Sequence, residues 1–528
     1  MLFNSVVFIF AFLPVVLFLG HVCKARASET GIYWILAVSS MFFYCWAEPT
    51  HGLLLFATLV GNFVAGRYLA QEQSDARARK ILAAAIVGDL VLLGYFKYTN
   101  FLILNANSLV STSIDYLDIA LPLAISFFIF QQIMFLLDVR AGKAQETSFL
   151  RYVTFVTFFP QLLAGPIVHH ADLMPQLKAF GNKDKRLTDL AVGFSIFAIG
   201  LFKKVVIADN LATDVDRVFA LPGAGETVGL VDGWAAAVGF TLQLYFDFSA
   251  YSDMAVGLGK MFGVNLPINF YSPLKSTSMI VLWRRWHMTV MQFFMNYVYV
   301  PLNLAAMRLV RRTGISDNLG RFAAAMIGPV MITFVLSGLW HGAGWGFIIC
   351  MAINGAAVVV NSLWTTLKGP SVPRVIGWFA TMVIFVISLV FFRAGSVDGA
   401  ISILSGMFGL SDLTIPERLV RELPAFAALA EKFALGVKPT VYGSPGIKWA
   451  LFCMAIALFA PNIFQIFRHH FPAGYQLGQA STGHLAEAFT WKPTIMWNTF
   501  CFALLLYAVV ELGLYHGGHS SQYIYFQF

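Results

Sequence analysis

Ala323-Ala-Ala-Met-Ile-Gly-Pro-Val-Met-Ile-Thr-Phe-Val-Leu336 runs without a charged side chain, and directly after it comes Ser337-Gly-Leu-Trp-His-Gly-Ala-Gly-Trp345. The run is continuous instead of alternating at every second residue. It therefore reads as a helix in lipid, which satisfies its own backbone, and not as a barrel strand. Similar runs at 2–20, 34–46, 53–64, 81–93, 119–137 and 497–510 approach or reach the roughly 20 apolar residues that cross a hydrocarbon core. Across 528 residues, 58% are hydrophobic and 12% charged, and the mean hydropathy is +0.73. No soluble class has that composition. The expected fold is an all-α integral membrane protein, a polytopic bundle of roughly a dozen transmembrane or re-entrant helices.

The 35 Lys and Arg outnumber the 27 Asp and Glu, but they sit in short clusters between apolar runs. That pattern marks membrane topology and argues against a nucleic-acid partner. Lys24 and Arg26 follow the first run, so its start is expected outside. Arg77, Arg79 and Lys80, and then Arg140, Lys143 and Arg151, return to the cytoplasmic side at even intervals. The first run lacks the basic flank and cleavage site of a secretory signal and is expected to be a retained helix. Five scattered cysteines supply neither a disulfide framework nor a metal motif.

Between Arg151 and the basic stretch 178–186 lies Tyr152-Val-Thr-Phe-Val-Thr-Phe-Phe-Pro-Gln-Leu-Leu-Ala-Gly-Pro-Ile167, whose two ends belong on one side. Pro160, Gly165 and Pro166 break regular helix there, so a re-entrant segment enclosed by protein is expected. Around 243–301 polar groups mix with aromatics, and Asp247 or Asp253 are expected to pair with Arg284 or Arg285, since charges near lipid need partners. Three regions follow: a core over 1–394, a soluble-like insert with short helices over 395–448, and C-terminal membrane helices with an aromatic tail over 449–528.

Two Trp-His pairs stand out, Trp286-His287 and Trp340-His341. If 282–290 is helical, Trp283, Arg284 and His287 share a face. His287 then either lines a reaction cavity or belongs to an interfacial helix anchored by Arg and Trp. His341 stands among small residues that leave room for a substrate. Imidazole titrates near neutrality, as activation of an alcohol requires; the other reading is an interhelical hydrogen bond. His169-His170 and His469-His470 are neighbours that cannot face one another on a helix, and no metal site is expected. The strand-like tail Gln522-Tyr-Ile-Tyr-Phe-Gln-Phe528 is either an aromatic anchor or the carrier of a phenol nucleophile.

With Phe96-Lys-Tyr-Thr-Asn-Phe101, Phe159-Pro-Gln-Leu-Leu-Ala-Gly-Pro166, Tyr245-Phe-Asp-Phe-Ser-Ala-Tyr-Ser-Asp253, Trp283-Arg-Arg-Trp-His287, Gly338-Leu-Trp-His-Gly342 and Tyr525-Phe-Gln-Phe528, the chain resembles the membrane-bound O-acyltransferases, in particular the bacterial alginate O-acetylase branch. The resemblance implies helices around an acyl-transfer tunnel in the bacterial inner membrane. It implies a catalytic His341, and a His287 standing where the wider superfamily often has Asn. Trp340, Trp286, Arg284, Asp253 and Asn354 would line or support the tunnel, and Tyr525 would be an acyl relay. Many relatives have His where this chain has Asn354. No bound cofactor is implied: the acyl donor would be acetyl-CoA or another cytoplasmic acetyl donor. The acceptor would be an exported polysaccharide, alginate first, reached through a periplasmic acetyltransferase or other polysaccharide-modifying partner protein. The alternatives are peptidoglycan or teichoic-acid acylation and, in another class, a transporter or flippase, which would show paired broken helices in inverted repeats.

Overall fold

The structure, a computed structural model, describes residues 1–25, 29–46, 48–178, 186–314, 318–411, 413–422, 424–433, 435–471, 487–515 and 521–526. Arg26, most of the basic stretch 178–186 and the last two residues of the tail lie outside the described residues. The chain forms two compact units. Unit 1 comprises Met1–Val205, Phe248–Asn269 and Ile463–Phe528; unit 2 comprises Val206–Asp247 and Phe270–Asn462.

Almost every element is helical, because lipid offers the backbone no partner. In unit 1 the order is α1 (Leu13–Ala25), α2 (Glu29–Cys45), α3 (Pro49–Gln71), α4 (Asp75–Val110), α5 (Ile125–Arg140), α6 (Phe149–Thr157), α7 (Phe159–Leu162), α8 (His170–Lys178) and α9 (Arg186–Phe202). Next come α10 (Asp209–Ala220) and α11 (Leu230–Met261). Unit 2 continues with α12 (Met279–Trp283), α13 (Met288–Phe294), α14 (Val300–Thr313), α15 (Asn318–Phe322), α16 (Gly328–His341), α17 (Trp345–Thr366), α18 (Arg374–Arg393), α19 (Val397–Met407), α20 (Glu417–Glu422), α21 (Pro424–Lys432) and α22 (Ser444–Phe459). Unit 1 closes with α23 (Ile463–Ile466) and α24 (Ile495–Tyr515).

Among the described residues, seven helical stretches are long and apolar enough to cross a membrane, and Phe8–Cys23, Val397–Met407 and Ser444–Phe459 are shorter apolar helices. Their outer faces expose Leu53, Val91, Phe379 and Ile495, which lipid solvates without penalty. Among the described residues, four stretches of π-helix are spliced into the helices: Phe8–Phe12, Lys203–Ala208, Met295–Tyr299 and Ala323–Ile327. The last joins α15 to α16 in one continuous span, Leu319–His341.

Unit 1 encloses the broken segment. Helix α6 stops at Phe158 (φ −45°, ψ 104°), and α7 is a single turn with Pro160 near its start. The freed backbone groups find side chains: Phe159 N donates to Ser40 Oγ at 3.0 Å, and Gln161 Nε2 donates to Phe155 O at 2.7 Å. Residues 152–166 are buried throughout, so the irregular backbone is wrapped by protein, the condition set by the sequence reading.

In the insert the structure adds what the sequence reading lacked. Besides short helices there is a parallel ribbon, β1 (Thr414–Pro416) against β2 (Gly436–Lys438), with Ile415 opposite Val437. A parallel pair needs a crossover connection, and α20 and α21 supply it.

Candidate active site

The histidine-bearing stretches lie in unit 2. Ser278 Oγ caps α12 by accepting from Val281 N, and Asn361 Oδ1 accepts from Met279 N at 2.8 Å. The helix stops at Trp283, a tight turn follows, and His287 adopts the left-handed conformation (φ 45°, ψ 50°) as it starts α13. Residues 282–290 are therefore not one helix, which corrects the shared face expected for Trp283, Arg284 and His287. Arg284 is exposed, whereas Trp283, Trp286 and His287 are buried.

His341 is the last residue of α16, and Gly342 to Gly344 turn the chain into α17. The small residues here do not hold space open for a substrate as expected. A Cβ on Gly338 would sit 2.7 Å from the Phe347 carbonyl oxygen, and one on Gly342 would enter the Phe347 ring. They let α16 and α17 close on each other, and that contact fixes the end of α16 carrying His341.

The two Trp-His pairs converge. The His287 and His341 rings are 6.3 Å apart, and His287 is 5.9 Å from Trp340. Phe270 lies nearly parallel to His287 at 6.3 Å, and Phe392 meets His341 edge-on at 5.6 Å. His287 is 1% exposed; His341 is half-buried. One imidazole is thus enclosed and the other partly open, inside an aromatic wall of low polarity where each polar contact is worth more than in water.

Asn354 on α17, 0% exposed, ties the walls together. Its Oδ1 accepts from Trp283 Nε1 at 3.3 Å, and its Nδ2 donates to Ser388 Oγ and to Cys350 O, both at 2.8 Å. Three helices, α12, α17 and α18, meet at one amide. Sequence reasoning missed Ser388 and Phe392, and the only local signal is a lone Ser within the apolar α18.

Other expected residues lie elsewhere. Asp253 belongs to unit 1, where Lys203 Nζ lies 2.7 Å from its carboxylate and both side chains are largely buried. This corrects its expected pairing with Arg284 or Arg285: a buried carboxylate requires a close cation, and Lys203 supplies it. The tail forms a 3-10 turn, Ile524–Phe526, where a strand was expected. The Tyr525 side chain lies outside the described residues. Its neighbour Tyr523 is buried against Tyr251 at 4.9 Å, and Lys204 Nζ lies 4.8 Å from the Tyr523 ring.

The paired histidines have carboxylate partners that were not foreseen. His169 Nδ1 lies 2.7 Å from Asp138, and His170 Nε2 lies 3.2 Å from Glu146, which also meets Arg151 at 3.2 Å. His169 stands in the connection before α8, outside the membrane-spanning helices. The hydrogen bond to Asp138 raises its pKa above the ordinary imidazole value, against a smaller opposing effect of burial. Among the described residues no group of three or more His, Cys, Asp or Glu is placed to hold a metal ion.

The sequence matches the family model described as MBOAT, membrane-bound O-acyltransferase family, over residues 140–403, a stretch that contains both Trp-His pairs. A peptidoglycan O-acetyltransferase of Helicobacter pylori is 34% identical over 499 residues, covering 89% of this chain and 91% of the relative. A probable alginate O-acetylase of Azotobacter vinelandii is 34% identical over 422 residues, covering 79% and 80%. A teichoic acid D-alanyltransferase of Streptococcus thermophilus is 26% identical over 259 residues, 47% of this chain and 58% of the relative. The family match and relatives 34% identical over most of both chains, on a helical membrane scaffold, place the chain in the membrane-bound O-acyltransferase family, a multi-pass membrane enzyme that transfers acyl groups to oxygen.

Proposed function

We propose that the protein is an inner-membrane O-acetyltransferase that takes acetyl from a cytoplasmic thioester, acetyl-CoA or a related donor, and supplies it for O-acetylation of an extracytoplasmic polysaccharide. The observation that carries this reading is the approach of His341, half-buried, to the enclosed His287 in one aromatic cluster. In the transfer, the acceptor hydroxyl gives its proton to His341 as its oxygen bonds the acyl carbon. The carbon–sulfur bond then breaks, and the proton passes to the leaving thiolate. His287 polarises the acyl carbonyl and holds it in place. Trp286 and Trp340 exclude water, and Asn354 keeps the pocket in register.

For the polymer, the extent of similarity favours peptidoglycan: the H. pylori relative aligns over 499 residues and the alginate relative over 422, at equal identity. Alginate is the second reading, and either polymer accounts for a periplasmic protein that completes delivery. His341→Ala is expected to lower polymer acetylation at least about 100-fold, the usual contribution of a general base, with the protein at its normal level. Unchanged acetyl content in both wall and exopolysaccharide would sink the reading.

A further inference from the structure

Two legs of unit 2 lead from a histidine to arginines. On one, helix continues from residue 288 through the π-helical stretch Met295–Tyr299 to the end of α14; on the other it runs as Leu319–His341. Residues 288–307 and 322–339 contain no Asp, Glu, Lys or Arg. Each run is close to the roughly 20 residues that cross a hydrocarbon core, so the arginines stand where the chain reaches the phosphate layer.

The legs are pinned to each other. Asn303 Nδ2 donates to Ala325 O, and the Tyr299 hydroxyl donates to Met326 Sδ at 3.3 Å. Counted from the Asn303–Ala325 bond, Arg308 is five residues along one leg and Arg321 four along the other, about 6 to 8 Å in each case. Both side chains therefore leave at one level, with Arg311 and Arg312 a turn beyond. Spacings of three and four put Arg308, Arg311 and Arg312 on one face of α14 together with Leu304, and all four are exposed, whereas Val310 on the opposite side is buried.

Charge and hydrophobicity together select the occupant. From Asp253 to Asp398 the sequence holds one acidic residue, Asp317, which lies outside the described residues. Among the described residues no carboxylate is paired with Arg308, Arg311 or Arg312. A helix C-terminus accounts for cations in its last turn, but not for Arg308 a turn earlier or Arg321 on a second helix. Exposed Leu304, Leu309 and Leu319 lie within a turn of the arginines. A soluble anion makes no use of them, whereas a phospholipid presents phosphate and acyl chain side by side.

We propose that this hairpin tip is a binding site for an anionic phospholipid. The guanidinium groups of Arg308, Arg311 and Arg312 hold the phosphate, for which their planar fork is suited, and the acyl chain lies against Leu304. Because both legs lead to the histidines, headgroup contact also fixes the depth of His287 and His341 in the membrane.

The test follows the melting temperature of the purified full-length protein in neutral detergent, with added phosphatidylglycerol, phosphatidylcholine of the same acyl chains, coenzyme A or inorganic phosphate. Phosphatidylglycerol is expected to raise it most. The combined variant Arg308→Gln, Arg311→Gln, Arg312→Gln should lose at least half of that shift while keeping its response to phosphatidylcholine, and Lys at the same three positions should restore part of it. Arg374→Gln, which removes an exposed cation at the start of another helix, should leave the shift unchanged. Should the combined variant not fold, the association of spin-labelled phosphatidylglycerol with the single variants Arg308→Gln and Arg312→Gln in phosphatidylcholine vesicles gives the same comparison, with at least a twofold loss expected in each. Equal shifts from the two lipids, an equal loss in Arg374→Gln, or wild-type lipid response in the arginine variants would overturn the proposal. Displacement of the lipid by coenzyme A or phosphate would also overturn it, as the mark of a site for soluble phosphate. Loss of polymer acetylation with the lipid response intact would assign the arginines to a protein partner, and the proposal would fall. None of these readings uses acetyl transfer as its measure of lipid binding, so the site stands or falls apart from the proposed function.

Discussion

His287 sits at φ 45°, in a region that costs most side chains about 1–3 kcal/mol and that His, Asn and Asp tolerate best. His287→Asn is therefore expected to fold at wild-type levels and keep part of the acetyl transfer. His287→Val, β-branched and unable to hydrogen-bond, should lose both protein level and transfer, as quantitative blotting beside an acetylation assay will read. Asn354 makes a second prediction. Asn354→Leu strands the Trp283 indole N–H and alters the partners of the Ser388 hydroxyl, each group buried or nearly so. It should cost about 1–3 kcal/mol, seen as a lower melting temperature in detergent, with His341 untouched. Trp340-His341 is legible in the sequence because polar residues are rare beside an apolar run, and Trp286-His287 because it repeats that dipeptide behind a pair of arginines. The left-handed turn is not legible, since Trp286-His287-Met288 contains no Gly or Asn to mark it. Nor is the amide bridge from α17 to α18, which only packing assembles.

Helices α16 and α17 depend on contact between backbones. Gly338→Val would drive a branched side chain into the Phe347 carbonyl, and overpacking of this kind costs about 1–3 kcal/mol. Transfer is expected to fall although neither histidine is changed; retention of full activity and melting temperature would show that the hairpin tolerates opening. At the C-terminal end of α5, the His169–Asp138 pair makes stability depend on pH. The folded pKa of His169 is raised, so its contribution is complete below the unfolded value of about 6.5 and is lost as the pH rises through the folded value. The melting difference between wild type and His169→Gln should accordingly be largest in mild acid and shrink toward alkaline pH. Helices are the most legible elements, because an apolar run in lipid has one economical conformation. The ribbon of β1 and β2 is not, since three residues per strand carry no usable period. The carboxylate partners of His169 and His170 escape for another reason: they lie 31 and 24 residues away.

For the molecule as a whole, composition reads the class from the sequence, while the grouping of 248–269 and 463–528 with the first 205 residues follows from tertiary packing alone. In a cysteine-less background, a cysteine at Thr227 is expected to react with a membrane-impermeant maleimide from the periplasmic side, and one at Arg77 only after the cells are opened. The reverse pattern would invert the topology. The π-helical stretch Ala323–Ile327 has a separate consequence. Such a stretch holds one residue more than the α-helix that replaces it, so it sets the angular phase between the Arg321 end of the span and His341. Deleting a single alanine there lets the stretch close into regular α-helix with its two ends in their present phase, whereas one further alanine carried as α-helix would turn them by about 100° relative to each other. With that insertion the chain would still span the membrane, with either the arginine or the imidazole facing the wrong way.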